Sequence, residues 1–214
     1  MPGETEQAFF ARIRGALAGR PRSTALPADT EVARVVRPDG DVVGLFIERA
    51  VQAGMQVHRV ADQTAMVARI GELVEARKAV EILVPVEGIP SRDAVVAELQ
   101  RRGVRLADPD DPDAAFRAEV GLTGVELAVA ETASLSLISG GGRRRLASLA
   151  VPCHIAVVLV SQIVADLIDW AGRRPGDMPA NEVLVSSHSK TADIEMVLVP
   201  GIHGPGTLHV VLVG

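Results

Sequence analysis

Thiols, aromatic rings and lysines are all scarce in this chain. Of its 214 residues one is cysteine, one tryptophan, four are phenylalanine and none is tyrosine. The single thiol, Cys153, excludes an intramolecular disulfide and any protein-held cluster that needs four thiolates. If iron–sulfur chemistry is involved, another polypeptide carries the metal. Aromatics at 2% leave few rings for stacking against bases or sugars. The chain has no long apolar run: the longest, Leu149 to Val160, contains Pro152 and His154 and is too short to span a bilayer. Glu4, Glu6, Arg12 and Arg14 interrupt the first turns, so no signal peptide is expected and a soluble, cytoplasmic protein is.

With 22 basic and 27 acidic residues the net charge is −5, which disfavours polyanion binding by the protein as a whole. Arg143-Arg144-Arg145 is the local exception. Apolar residues nevertheless make up 48% of the chain. The core must therefore be packed from Val, Leu, Ile and Ala, as in sheets covered by helices on both faces. This length suits one domain with a full core, or one domain with a small appendage.

Residues 4 to 18 place Phe9, Phe10, Ile13 and Leu17 at helical spacing behind Thr5, which predicts an amphipathic helix ended by Pro21 and Pro27. Residues 1–27 read as a helical arm and 28–214 as a single α/β domain. From Asp41 the pattern alternates: helix 41–53, strand 55–60, helix 62–77, strand 79–84, helix 91–102 and a short strand at 104–106, with Gly54 and Gly103 where helices should stop. Such alternation means a mainly parallel sheet. Further β-branched runs at 124–130, 134–139, 154–160, 182–186 and 207–213, with a helix at 162–170, predict extra strands and a mixed sheet.

Two polar clusters break this apolar landscape. Glu131, followed by Thr132 and Ser134, lies at the carboxyl end of a strand, the edge where open α/β sheets gather ligands. It is either a base, nucleophile or acceptor, or a turn carboxylate capping backbone amides; the strand context does not choose between them. The second cluster, Ser187, Ser189, Lys190 and Thr191 before Asp193 and Glu195, predicts a short helix with hydroxyl caps and amides suited to an anion. Lys190 is one of two lysines in the chain. His203, between Gly201 and Gly204-Pro205-Gly206, has backbone free to bring an imidazole to a ligand.

Other chemistries fit less well. Gly140 to Gly142 with the three arginines offers donors for a carboxylate or phosphate, but lacks the spacing of a phosphate loop; the alternative is a solvated hairpin tip. His188, Asp193, Glu195 and His203 have no recognised metal-site spacing, so no metal site is expected. Cys153, in apolar surroundings, reads as core. There is no Gly-x-Ser-x-Gly elbow for acyl transfer.

The blocks Ala-Glu-Thr-Ala-Ser-Leu-Ser-Leu (130–137), Arg145-Leu-Ala-Ser-Leu, Pro152 with His154-Ile155, Ser189-Lys-Thr-Ala-Asp-Ile-Glu195 and Gly201-Ile-His-Gly-Pro205 resemble the lactate utilization protein C family, the LUD-domain proteins, over roughly residues 120 to 214. The resemblance implies a three-layer α/β sandwich with a mixed, mainly parallel sheet, like that of ribose-phosphate isomerase and the CoA transferases. It implies a non-cluster subunit of a complex oxidising L-lactate to pyruvate, with no cofactor on this chain and iron–sulfur clusters on partner subunits. It also draws the candidates to one face: Glu131, Asp193 and His203 as catalytic residues, and Thr132, Ser134, Arg145, Ser189, Lys190, Thr191, Glu195 and Gly204 around a small carboxylate or phosphate.

Two positions depart from the family pattern. Family members usually read Glu-Thr-Gly-Thr where this chain has Glu131-Thr132-Ala133-Ser134, and often have Arg where it has Lys190. The alternative function is a stand-alone transferase or isomerase acting on a CoA ester or sugar phosphate through Glu131. A scaffold without a small-molecule site is a third reading, and a homo-oligomer remains open.

Overall fold

The computed structural model describes residues 5–19, 33–37, 39–108, 111, 113–143, 145–173, 179–192 and 198–214. The chain divides into two compact units, Met1–Ala33 and Arg34–Gly214. The first holds helix α1, Glu6–Leu17, whose start is capped by the Thr5 hydroxyl accepting from the Ala8 amide. On it the rings of Phe9 and Phe10 meet edge to face at 5.5 Å.

The second unit opens with the expected alternation. Helices α2 (Val42–Gln52), α3 (Gln63–Ala76) and α4 (Arg92–Arg101) separate strands β1 (Gln56–Val60), β2 (Glu81–Leu83) and β3 (Arg105–Leu106). Their ends are set locally. Asp41 and Asp62 each accept from the amide three residues on at 2.8 Å, and Gly54 and Gly103 take φ of +89° and +79° just past α2 and α4, a backbone region that costs glycine little. Then follow α5 (Ala114–Arg117), β4 (Val120–Gly124), β5 (Leu127–Val129), β6 (Ser134–Ser139), α6 (Leu146–Leu149), β7 (Cys153–Leu159), a 3₁₀ turn, β8 (Ile163–Val164), α7 (Leu167–Gly172), β9 (Asn181–Val185), β10 (Lys190–Ala192), β11 (Leu198–Pro200) and β12 (Thr207–Val213).

Six strands form one sheet in the order β1-β12-β7-β4-β2-β3, parallel throughout. Side chains of β7 and β12 alternate between its faces. Cys153, Ile155, Val157, Val211 and Val213 pack under α3 and α4 with Met66, Ile70, Val95 and Leu99. Ala156, Val158, Leu208, Val210 and Leu212 pack against α2 and a second sheet, meeting Phe46, Ala50, Ala128, Leu135 and Leu137. The result is an α/β sandwich of three layers. Among the described residues no helix is long and apolar enough to cross a membrane.

Two expectations are corrected. The extra strands build their own mixed sheet, β8-β5-β6-β9, so the run 124–130 is no single strand: β4 ends at Gly124 and β5, in the other sheet, begins at Leu127. At that departure Gly124 admits the Gly88 backbone, whose carbonyl oxygen would lie 1.7 Å from an added Cβ. The helix expected at 162–170 begins at Leu167, where the Asp166 carboxylate accepts from the Asp169 amide at 2.8 Å, and β8 occupies the residues before it. The short helix expected to open at residues 192–195 falls mostly outside the described residues; residues 190–192 form an antiparallel ribbon with 198–200.

Candidate functional site

The polar residues sort into two neighbouring groups and a separate cleft. Glu131 sits in the turn joining β5 to β6, where the Ala130 and Glu131 amides donate to Val164 and Ala165 at 2.8 and 3.0 Å. The turn demands a left-handed residue and Ala133 supplies it, with φ of +51° and a fully buried methyl. Alanine holds this conformation at a cost of about 1–2 kcal/mol. Glu131 is half-buried, and among the described residues no side chain bonds to its carboxylate.

Beside it runs a chain of hydroxyls. The buried Ser134 Oγ lies 2.7 Å from Thr132 Oγ1 and 2.7 Å from Ser186 Oγ on the neighbouring strand's end. Ser136, on the same strand, donates to Glu182 at 2.6 Å.

Past Ser186 the chain reaches the second group. The Ser189 amide donates to the Pro205 carbonyl at 2.8 Å and its carbonyl accepts from the Gly201 amide at 3.0 Å. Gly204 lies so close that an added Cβ would stand 3.3 Å from Ser189 Cβ. The Ser189 and Gly201–Gly204 segments are therefore interlocked through main chain. His203 is exposed and lines a shallow hollow with Phe116, Leu146, Pro152 and Ile202.

The three residues 187–189 between the groups span at most about 11 Å. Among the described residues no hydrogen bond, ion pair or shared hollow joins Glu131 to His203. Lys190 points elsewhere: its Nζ donates to the Ala53 carbonyl at 3.0 Å, closing the end of α2 while His188 covers Gly54. Thr191 is a ladder residue opposite Val199. Asp193 and Glu195 lie outside the described residues.

Arg145 is in neither group. It stands exposed at the start of α6 and lines a cleft of about 70 Å³ whose walls include Pro85, Thr123, Val125, Leu137, Leu149 and Val183. Ahead of it, Gly140 and Arg143 are joined by a single antiparallel bridge across a tight tip. Arg143 pairs with Glu126 at 3.0 Å, and the Val86 amide donates to the Gly142 carbonyl at 3.1 Å, so tip and cleft wall are tied together. The strand-end rule leads here and not to Glu131: β5 belongs to the mixed sheet, whereas Pro85 and Thr123 to Val125 follow or end parallel strands β2 and β4.

Beneath Thr123 lies His154, 1% exposed, its Nε2 2.8 Å from Thr123 Oγ1. Burial pushes its pKa down to about 3, so the imidazole is neutral near pH 7. Sequence reading missed this pair, since Thr123 lay in no expected strand. The signal was present only as a threonine and a histidine, each alone in an apolar run.

The described geometry defines an α/β protein whose polar groups collect around one hairpin turn and one interlocked loop. Residues 43–213 match the LUD domain model, and the chain belongs to the LUD-domain family. It is 36% identical over 116 residues to lactate utilization protein C of Exiguobacterium sp., an alignment covering 50% of each chain. It is 38% identical over 102 residues to lactate utilization protein C of Deinococcus radiodurans, covering 46% of this chain and 48% of that one. These alignments span about half the length of the curated relatives. A crystal structure of a DUF162 family protein from Deinococcus radiodurans shares the fold, with a TM-score of 0.57 at 24% identity over 81% of this chain and 97% of the other.

Proposed function

We propose that this chain serves lactate utilization as a subunit without a redox centre, docked on cysteine-rich iron–sulfur chains that oxidise L-lactate to pyruvate. The observation that carries this is the likeness to proteins named lactate utilization protein C. The donor chemistry agrees. Cys153 is 1% exposed and burial raises its thiol pKa, so the chain's one thiol is not a ligand thiolate, and no step of cluster chemistry is assigned to this chain.

In this reading Glu131, the Thr132–Ser134–Ser186 hydroxyl chain and His203 form the working face. Among the described residues there, the ammonium of Lys190 is engaged by the Ala53 carbonyl. The face therefore suits a hydroxyl or amide donor that reaches the Glu131 carboxylate better than it suits an anion.

A second reading has one observation in its favour: an unengaged, half-buried carboxylate is the form a nucleophile or base takes in a stand-alone CoA-ester or sugar-phosphate enzyme. One experiment separates the two. The protein is isolated anaerobically from its own cells at native expression level, with iron, sulfide and co-purifying chains measured on the same sample. Stoichiometric iron-containing partners, with Glu131→Gln impairing lactate oxidation only in the assembled complex, support the subunit. An iron-free preparation that turns over CoA esters, and loses that turnover in Glu131→Gln, supports the enzyme instead.

A further inference from the structure

The cleft at Arg145 is the one feature around these strand ends that the reading above leaves unused, and its chemistry is specific. It is bounded by both sheets, and its apolar walls are Pro85, Val125, Leu137, Leu149, Val183 and Val185. Val125 and Leu137 are themselves more than nine-tenths buried, so the wall is part of the packed core and not a surface scrape. Its cavity volume of about 70 Å³ is several times the roughly 10–15 Å³ that admits one water, which leaves room for a small organic ligand with a short tail.

Its polar groups divide into satisfied and unsatisfied ones. Thr123 is held by His154 at 2.8 Å, Ser148 donates to the Arg145 carbonyl at 3.0 Å, and Glu126 is neutralised by Arg143 at 3.0 Å. Among the described residues, the Arg145 guanidinium has no carboxylate partner. Glu87, the remaining carboxylate of the lining, leans on the Gly141–Gly142 turn. One uncompensated guanidinium with a carboxylate on the same rim favours a single negative charge over two, since a dianion would add repulsion from Glu87.

We propose that this cleft binds a monocarboxylate with an aliphatic tail, the carboxylate on Arg145 and the tail among Val125, Leu137, Leu149 and Val183. The site is distinct from the Glu131 face and does not depend on how that face functions.

The test is calorimetric titration of the full chain with straight-chain carboxylates of increasing length from propanoate to decanoate, at fixed pH and ionic strength. One ligand should bind per chain. Affinity should rise about fourfold with each added methylene until the tail fills the cleft, the factor expected for burying a CH₂. Arg145→Gln, at an exposed position, should weaken the whole series about tenfold or more without altering the length dependence. Val183→Trp should abolish binding by filling the cleft. If that variant fails to fold, Arg145→Gln and the corresponding primary alcohols, which should bind no better to the parent than to Arg145→Gln, decide the matter. Absence of saturable binding, affinity independent of tail length, or full affinity in Arg145→Gln overturns the proposal.

Discussion

His58 Nε2 lies 3.0 Å from His209 Nδ1, joining edge strand β1 to β12 beneath α3. Arg69 of α3 donates to His58 Nδ1 at 2.9 Å. Because a guanidinium only donates, His58 Nδ1 must accept, and in the neutral ring Nε2 then carries the proton that His209 Nδ1 receives. One arginine thus dictates both tautomers. Protonating either ring sets two N–H groups against each other.

The first prediction follows from that chain. Burial, then the charge of Arg69, lowers the pKa of His58. Burial first, then His58, Arg77 and Arg69, lowers that of His209 from 6.5 to about 4. A base whose folded pKa is depressed takes up protons more readily when unfolded, so its stabilisation is intact above pH 6.5 and is lost as pH falls toward 4. The loss for His209 is at most about 3 kcal/mol, and His154 acts in the same sense. Urea midpoints should stay level from pH 7.5 to about 6.5 and fall from there to pH 4, and His209→Gln should flatten part of the slope. A parent protein with a level profile over that range would contradict the assignment.

Ala133 supplies a second test. Glycine there relieves about 1–2 kcal/mol of left-handed strain but forfeits roughly 0.8 kcal/mol of buried methyl and adds chain entropy to the unfolded state. Ala133→Gly should consequently shift stability by less than about 1 kcal/mol in either direction. Ala133→Val, which adds a β-branch at φ +51° in a fully buried site, should cost more than about 2 kcal/mol. Chemical denaturation of the pair reads both; equal stabilities would show that the turn does not require this backbone.

Gly121 marks the closest approach of α6 to the parallel sheet. A Cβ there would lie 1.8 Å from the Ala147 carbonyl oxygen and 2.9 Å from Val151 Cγ2, and backbone cannot yield as a side chain can. Gly121→Ala should cost about 3 kcal/mol or more and lower the melting temperature accordingly. Gly15→Ala, where an added Cβ meets nothing within 4 Å, serves as the mild control on α1.

Cys153 begins a central strand and burial raises its thiol pKa. A disulfide reagent such as DTNB should leave it unmodified in the native protein at pH 8 and titrate one thiol in denaturant. Rapid native labelling would place the thiol at an accessible surface and weaken the case against metal or redox roles for this chain.

The first half of the fold was legible because its boundaries are local. Asp41 and Asp62 cap by bonding three residues ahead, Gly54 and Gly103 stop helices through their own φ, and the alternation between them leaves little choice but parallel strands. That Ala133 takes the left-handed conformation was not legible, since the strain is carried by the surrounding turn. The run from Gly124 to Ala130 looked like one strand because apolar periodicity does not record which sheet receives each half. Lys190 looked like a ligand because a rare cation in a polar cluster suggests one, yet its partner, the Ala53 carbonyl, is distant in sequence.

By itself the sequence determined the class of fold, the family and the identity of the polar clusters, since these rest on periodicity, short-range capping and contiguous motifs. Tertiary structure alone decided that β12 lies between β1 and β7, that Ser134 bonds Ser186, that the Ser189 and Gly204 segments interlock, and that Arg145 faces an apolar cleft apart from Glu131. Each of those depends on contacts between segments far apart in the chain, and no local pattern of side chains encodes which distant surface a residue will meet.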